Sequence, residues 1–197
     1  MWDERYAQDD YVFGTEPAAF LAALTASLQA GQRTLAVADG EGRNSVFLAE
    51  HGLDVTATDA SPVGIAKARR LAEERGVAVQ FELADLLTRK WEPDAYDIVV
   101  GIFIQFMGPD DRTNVFGGIQ RTLRSGGRLL LHGYRIEQLA YGTGGPPIAE
   151  NMYTEELLAA SFPELETERL VAYDTEIAEG TGHVGMSALI DYVGQKR

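Results

Sequence analysis

Seven apolar residues in a row, Ile98 to Ile104 (IVVGIFI), stand between polar stretches. A strand with one wet face alternates apolar and polar positions, and this run does not alternate. Extended back to Tyr96, it reads as a central strand, Tyr96 to Ile104, covered on both faces. Strands of that kind belong to parallel sheets sandwiched between helices. The middle of the chain keeps to this plan. Thr34 to Ala38 and Val55 to Thr58 predict the first and second strands, Val77 to Leu83 the third and Arg128 to Tyr134 the fifth. Helices lie between them. Asn44 to His51 ends at Gly52, and the next helix has Ser61 as N-cap, Pro62 at its first position and Gly76 just past its end. A third opens at Pro109, carries Asp110 and Asp111 in its first turn and stops at Ser125-Gly126-Gly127. The fold class is therefore α/β, a doubly wound and mostly parallel sheet. After Tyr134 the rhythm changes. Tyr141 to Pro147 (YGTGGPP) predicts a loop, a helix starts near Thr154, and Leu170 to Ile177 with Val184 to Val193 predicts a hairpin.

Composition narrows the class of partner. The chain has 197 residues, 45% apolar and 24% charged, which suits one globular domain over 1–197. Asp and Glu outnumber Lys and Arg by 30 to 17, a net charge of −13. Nucleic acid and membrane surfaces are not expected partners, because no basic block is present to displace counterions from phosphates. No apolar run approaches a bilayer span, and the start, MWDER, lacks the pattern of a signal peptide, so a cytoplasmic location is expected. The absence of cysteine excludes disulfides, thiolate nucleophiles and Cys-ligated metals, and no metal site is expected.

Chemistry concentrates in AVADGEGRN, residues 36–44. Here a strand runs into a turn whose glycines, Gly40 and Gly42, let backbone N–H groups approach a ligand at a helix N-terminus. The dinucleotide fingerprint G-x-G-x-x-G wants its third glycine where Ser45 stands. A pyrophosphate would also meet the like charge of Asp39 with only Arg43 nearby to offset it, whereas an ammonium or sulfonium would be attracted. Asp59 ends the second strand, where an acid can take both hydroxyls of a ribose. Asp85 follows the third strand on the same edge, able to meet the amino group of an adenine.

In order and spacing the chain resembles the class I S-adenosylmethionine (SAM) dependent methyltransferases, and among them the small tellurite-resistance and thiopurine-type enzymes. The resemblance is carried by WDERYAQDDYVFGTEPAAFL at 2–21, ADGEGRN, the VTATD that ends at Asp59, AYDIVVGIFIQF, LRSGGRLLLHGYR, YGTGGPP and EGTGHVG. It implies a Rossmann-like seven-stranded sheet in the order 3-2-1-4-5-7-6 with strand 7 antiparallel. It also implies an N-terminal lid and helical segment over 1–30, SAM-binding βα units over 31–135, and an acceptor-side loop, helix and hairpin over 136–197. By the same resemblance Asp39, Gly40 and Gly42 hold the methionine part of SAM, Asp59 the ribose, Asp85 with Leu86 the adenine, and Gly101 with Ile102 border the sulfonium. Asn44 and Ala60 complete the cofactor side, and the product is S-adenosylhomocysteine (SAH). The sequence departs from that branch in having Asp39 for a usual glutamate, Gln105 for a frequent histidine and Ser125 for a usual proline.

Methyl transfer is an in-line displacement on an activated carbon, so catalysis rests mainly on alignment and exclusion of water. If the sixth strand runs parallel to its neighbours, the turn of the final hairpin reaches the cofactor edge and brings Glu179 and His183 toward the acceptor. Tyr134 and Arg135, after the fifth strand, are the other catalytic candidates, Arg135 as a cation that orients an anionic acceptor. Gln105, Phe106 and Tyr141 are further pocket candidates. His132 reads as a hydrogen-bonded core residue and His51 as a favourable charge at its helix C-terminus. Trp2, Tyr6, Tyr11 and Phe13 read as a lid hinged at Gly14. The expected function is transfer of a methyl group from SAM to a small-molecule acceptor, a soft thiol or chalcogen nucleophile suiting a site without an evident base. A nicotinamide-dependent oxidoreductase and a catalytically silent SAM-binding protein are the alternatives.

Overall fold

In the computed structural model, which describes residues 2–197, two short helices, α1 (Trp2–Tyr6) and α2 (Ala19–Ala23), precede the sheet. Strands and helices then alternate: β1 (Arg33–Val37), α3 (Arg43–Glu50), β2 (Asp54–Asp59), α4 (Pro62–Arg75), β3 (Gln80–Leu83), β4 (Tyr96–Ile102), α5 (Pro109–Thr122) and β5 (Leu123–Tyr134). α6 (Gln138–Tyr141) and α7 (Glu155–Ser161) lead to a long hairpin of β6 (Leu165–Glu179) and β7 (His183–Lys196). One seven-stranded sheet results, in the order β3-β2-β1-β4-β5-β7-β6. β1 to β5 are parallel and β7 is antiparallel to both of its neighbours, the sheet that the sequence resemblance implies.

Burial explains the central run. β4 is buried from Tyr96 to Gly101. On one face Val99 packs with Phe116 and Ile119 of α5, and on the other Ile98 and Val100 pack with Phe20, Leu21 and Leu48. α4 is bounded as its sequence dictates. The Ser61 hydroxyl accepts from the Gly64 N–H at 3.0 Å, Pro62 opens the first turn, and Gly76 closes the last in the left-handed conformation.

Other boundaries are corrected. β3 begins at Gln80, not Val77, because the Val77 N–H still donates to Ala72 of the preceding helix. β4 stops at Ile102, since Phe103 takes φ +55° and turns the chain out of the sheet. The double glycine does not end α5. Leu123 is already extended and pairs with Tyr96, the ladder shifts and resumes at Ile98 with Arg128, and Ser125-Gly126-Gly127 forms an irregularity inside β5. Gly127 is required there, because a Cβ would lie 2.9–3.1 Å from the carbonyl oxygens of Arg124, Asp97 and Tyr96. Tyr141 ends α6 and is not in the loop. β6 and β7 outrun Leu170 to Ile177 and Val184 to Val193, pairing from Leu165 with Lys196 as far as Glu179 with His183. The outer strand is polar on its exposed positions and lacks the apolar pattern that marks an inner one. Because β7 is antiparallel to both β5 and β6, the β6–β7 turn lies at the same sheet edge as the C-terminal ends of β1 to β5.

Candidate active site

Beyond β1 the chain passes through Ala38 (φ +48°), Gly40 (+63°) and Gly42 (+93°) before α3 begins. The two glycines serve different ends. A Cβ on Gly40 would stand 2.7 Å from the Tyr6 hydroxyl, whereas one on Gly42 would strike Ala68 at 2.7 Å and prevent α3 from packing on α4. Ser45, at the position of the missing third glycine, uses its side chain. Its hydroxyl donates to Asp39 Oδ2 at 2.5 Å and its N–H to Oδ1 at 3.3 Å, fixing that carboxylate. Asp59 is fixed likewise, accepting from the N–H groups of Ser61 at 2.8 Å and Gly40 at 2.9 Å. Burial nevertheless dominates at Asp39, outweighing the Ser45 hydrogen bonds, and with the nearby charge of Asp59 it raises the carboxyl to about pH 7. Asp59 is also raised, by burial against its backbone hydrogen bonds. Two neighbouring buried acids that resist ionisation form a site whose charge a cationic ligand would complete.

Asp39, Gly40 and Asp59 line a cavity of about 620 Å³ that also meets Asn44, Ala60, Asp85, Leu86, Ile102, Tyr134 and His183. That volume falls in the range of small-molecule sites, roughly 300–1,000 Å³. Several residues singled out from sequence are not in its wall. Gly42 serves helix packing, and Gly101 is packed against Ile104 and Leu131. Arg135 points away, paired with Asp174 and with Glu137 at 3.3 Å, because neighbouring side chains at a strand end take opposite sides and Tyr134 takes the inner one. Tyr141 likewise donates to Asp174 at 2.9 Å, outside the cavity. Asn44 lines the cavity while its side-chain oxygen accepts from the Ala18 N–H at 3.0 Å. Gln105 braces the backbone of Tyr134, donating to its carbonyl at 2.8 Å and accepting from its N–H at 2.6 Å.

Elsewhere in the cavity wall, Phe13, Phe103 and Tyr134 surround His183, with ring centroids 4.4, 4.3 and 5.6 Å from its imidazole. The Tyr134 hydroxyl and His183 Nδ1 are buried without a hydrogen-bond partner. Burial lowers the His183 pKa, against the pull of Glu179, whose carboxylate stands 3.6 Å away, so the imidazole is neutral. Burial would raise Glu179, but His183 and Arg43, the latter paired at 2.8 Å, hold it down to about 2. His132 is a core residue as expected, bonded to Asp191 at 2.8 Å. His51 Nδ1 lies 2.8 Å from the Phe47 carbonyl at the end of α3.

A strap over residues 6–14 roofs the cavity, and its fastening was not read from the sequence. The buried pair Lys67–Glu41, at 2.5 Å and 6% and 3% exposed, is its anchor. Lys67 also donates to the carbonyls of Gln8 (2.9 Å) and Asp10 (2.7 Å), and Glu41 accepts from the Val12 N–H at 2.8 Å. The Val12 carbonyl accepts from Thr181 and Gly182 in the β6–β7 turn at 2.8 and 2.9 Å. Arg43 joins both, donating to the Phe13 carbonyl at 3.3 Å while paired with Glu179. One signal was available: Lys67 falls on the stripe of Gly64, Ala68 and Leu71 that α4 buries, where an unmatched lysine does not belong.

Residues 34–127 match the family described as a methyltransferase domain. That match covers 94 of the 197 residues. A curated relative, demethylmenaquinone methyltransferase of Thermus thermophilus, is 36% identical over 105 residues, 52% of this chain and 47% of its own length. The chain thus spans about half the length of that relative. Among solved structures, a protein studied for the conversion of a disulfide bond into a thioacetal group during echinomycin biosynthesis superposes with a TM-score of 0.80 at 20% identity, over 98% of this chain and 87% of its own. The N-methyltransferase NodS from Bradyrhizobium japonicum, in complex with SAH, gives 0.74 at 16% identity over 99% and 96%. TehB from Haemophilus influenzae gives 0.73 at 16% identity over 100% and 66%. The fold is that of the Rossmann-like methyltransferases. Among the described residues no helix is long and apolar enough to cross a membrane.

Proposed function

We propose that the protein transfers a methyl group from SAM to a small soft nucleophile, a thiol or chalcogen species, in the manner of the tellurite-resistance and thiopurine branch. The observation that carries the reading is the convergence of Asp39, Asp59 and Asp85, at the ends of three adjacent strands, on a cavity whose wall also holds a neutral histidine. SAM supplies a methyl group already activated on a sulfonium. In this reading Asp39 and Gly40 hold its methionine part, Asp59 and Ala60 the ribose, and Asp85 and Leu86 the adenine, with Ile102 beside the sulfonium. Asn44 fixes the segment that follows the strap through its hydrogen bond with the Ala18 N–H. His183 takes the proton of the acceptor as the nucleophile forms, and Glu179, 3.6 Å from its Nδ1, steadies the imidazolium. Tyr134 offers its unpartnered hydroxyl to the acceptor. The strap and the aromatic residues around His183 exclude water. A cytoplasmic enzyme with no nucleic-acid or membrane partner fits the charge of −13.

Isothermal titration should give sub-millimolar binding of SAM and SAH and none of NAD, and absence of SAH binding sinks the reading. Mass-spectrometric assay over thiol, selenol and tellurite acceptors should yield a methylated product. Replacing His183 by Gln should lower turnover by roughly 10²–10⁴, the usual worth of a general base, while SAM affinity is retained.

A further inference from the structure

The cavity wall carries charges of both signs. Asp39, Asp59 and Asp85 line it, and so do two guanidiniums, Arg43 and Arg5. The two cations are not equivalent. Arg43 is matched by Glu179 at 2.8 Å. Arg5, on α1, rests on aromatic faces, its Cζ 5.3 Å from the Trp2 ring centroid and 5.0 Å from that of Phe13. Among the described residues no carboxylate stands within ion-pair distance of it. Phe13 in turn packs on His183, so Arg5 is one ring removed from the unpartnered imidazole nitrogen.

Other cations are engaged elsewhere. Arg135 belongs to Asp174 and Glu137, and Arg112 donates to the Glu150 carbonyl at 2.7 Å. A chain of charge −13 repels an approaching anion, so an anionic acceptor needs a local cation whose charge is not already matched. A guanidinium stacked on rings keeps its N–H edge free for a bidentate contact with a carboxylate. The wall also includes the apolar side chains of Phe103, Phe106 and Ile148.

We propose that Arg5 selects the acceptor by binding a carboxylate on a compact aromatic or apolar molecule, so that donor cation and acceptor anion share one cavity. This rests on the methyltransferase reading above. The test uses the full chain with SAH bound and two probes of equal size that carry no nucleophile, benzoate and benzamide. Calorimetry should show benzoate binding about tenfold or more tightly than benzamide, as expected for a charge-assisted bidentate contact. Arg5→Gln should bring the two to parity and Arg5→Lys should keep part of the difference, with SAH affinity and thermal unfolding verifying that each variant is folded. In turnover, the kcat/KM ratio of 4-mercaptobenzoate to 4-methylbenzenethiol should fall about tenfold in Arg5→Gln. Equal binding of the two probes by the unaltered protein, or a preference that survives Arg5→Gln, overturns the proposal while leaving the methyltransferase reading intact. Failure of SAH to bind overturns that reading and the proposal together.

Discussion

Asp39 ties the charge of the site to its ligand. Its carboxyl is raised to about 7 mainly by burial, so the folded protein holds a proton that the unfolded chain has lost. The group therefore favours the ligand-free fold below the ordinary aspartate range, and that contribution fades as pH rises through about 7. A cationic ligand reverses the preference by favouring the carboxylate. SAM affinity should rise as pH goes from 6 to 8, and the thermal shift on adding SAM should be larger at pH 8 than at pH 6. Asp39→Asn should remove most of this dependence and weaken SAM by about tenfold, the equivalent of roughly one pKa unit of differential interaction. Titrations of both proteins at the two pH values would check it, and an unchanged slope in the variant would assign the effect elsewhere. Positions at the cavity were legible where they depend on local order: an acid at or just past a strand end marks Asp39 and Asp59. Arg135 against Arg5 was not legible, because one is decided by which side of a strand end a side chain takes and the other by a helix folded over from the N-terminal segment.

At the level of elements, the strap is a structure without much structure of its own. α1 is a helix of five residues, and what holds residues 6–14 is the buried ion pair on which they close. Removing one partner strands the other away from water. Lys67→Met should cost about 3–5 kcal/mol in denaturant unfolding, and pairing it with Glu41→Leu should recover a substantial part, since the remaining buried charge is then gone too. Equal losses in the single and double variants would mean that the strap is held by other contacts. Legibility divides on the same line. α4 was bounded from Ser61, Pro62 and Gly76 because caps act through neighbouring residues. Gly126-Gly127 was misread as a helix stop because the same residues also suit a strand irregularity, and only Leu123 pairing with Tyr96 decides between them. The Lys67–Glu41 clasp joins α4 to the turn before α3 and holds a segment about 60 residues upstream, a distance that no local pattern spans.

For the whole molecule, the long hairpin is what turns a sheet edge into a chamber. Its turn meets the strap so closely that a Cβ on Gly180 would come within 2.3 Å of the Val12 carbonyl oxygen and 2.4 Å of the Gly14 nitrogen, at a backbone angle of φ +61° that also disfavours a side chain. Gly180→Ala should hold the strap off the turn. Limited proteolysis should then cut within residues 7–14, and SAH release measured by stopped flow should quicken several-fold; a variant as protected as the original would show the roof is fixed elsewhere. The closure also spans the chain, since Val12 and Thr181 are 169 positions apart. On the ribosome, then, Trp2, Tyr6 and Phe13 emerge early and find their final neighbours only after the closing hairpin has been synthesised, so the nascent domain displays bare aromatic residues for most of its translation, a stretch in which a chaperone has something to hold.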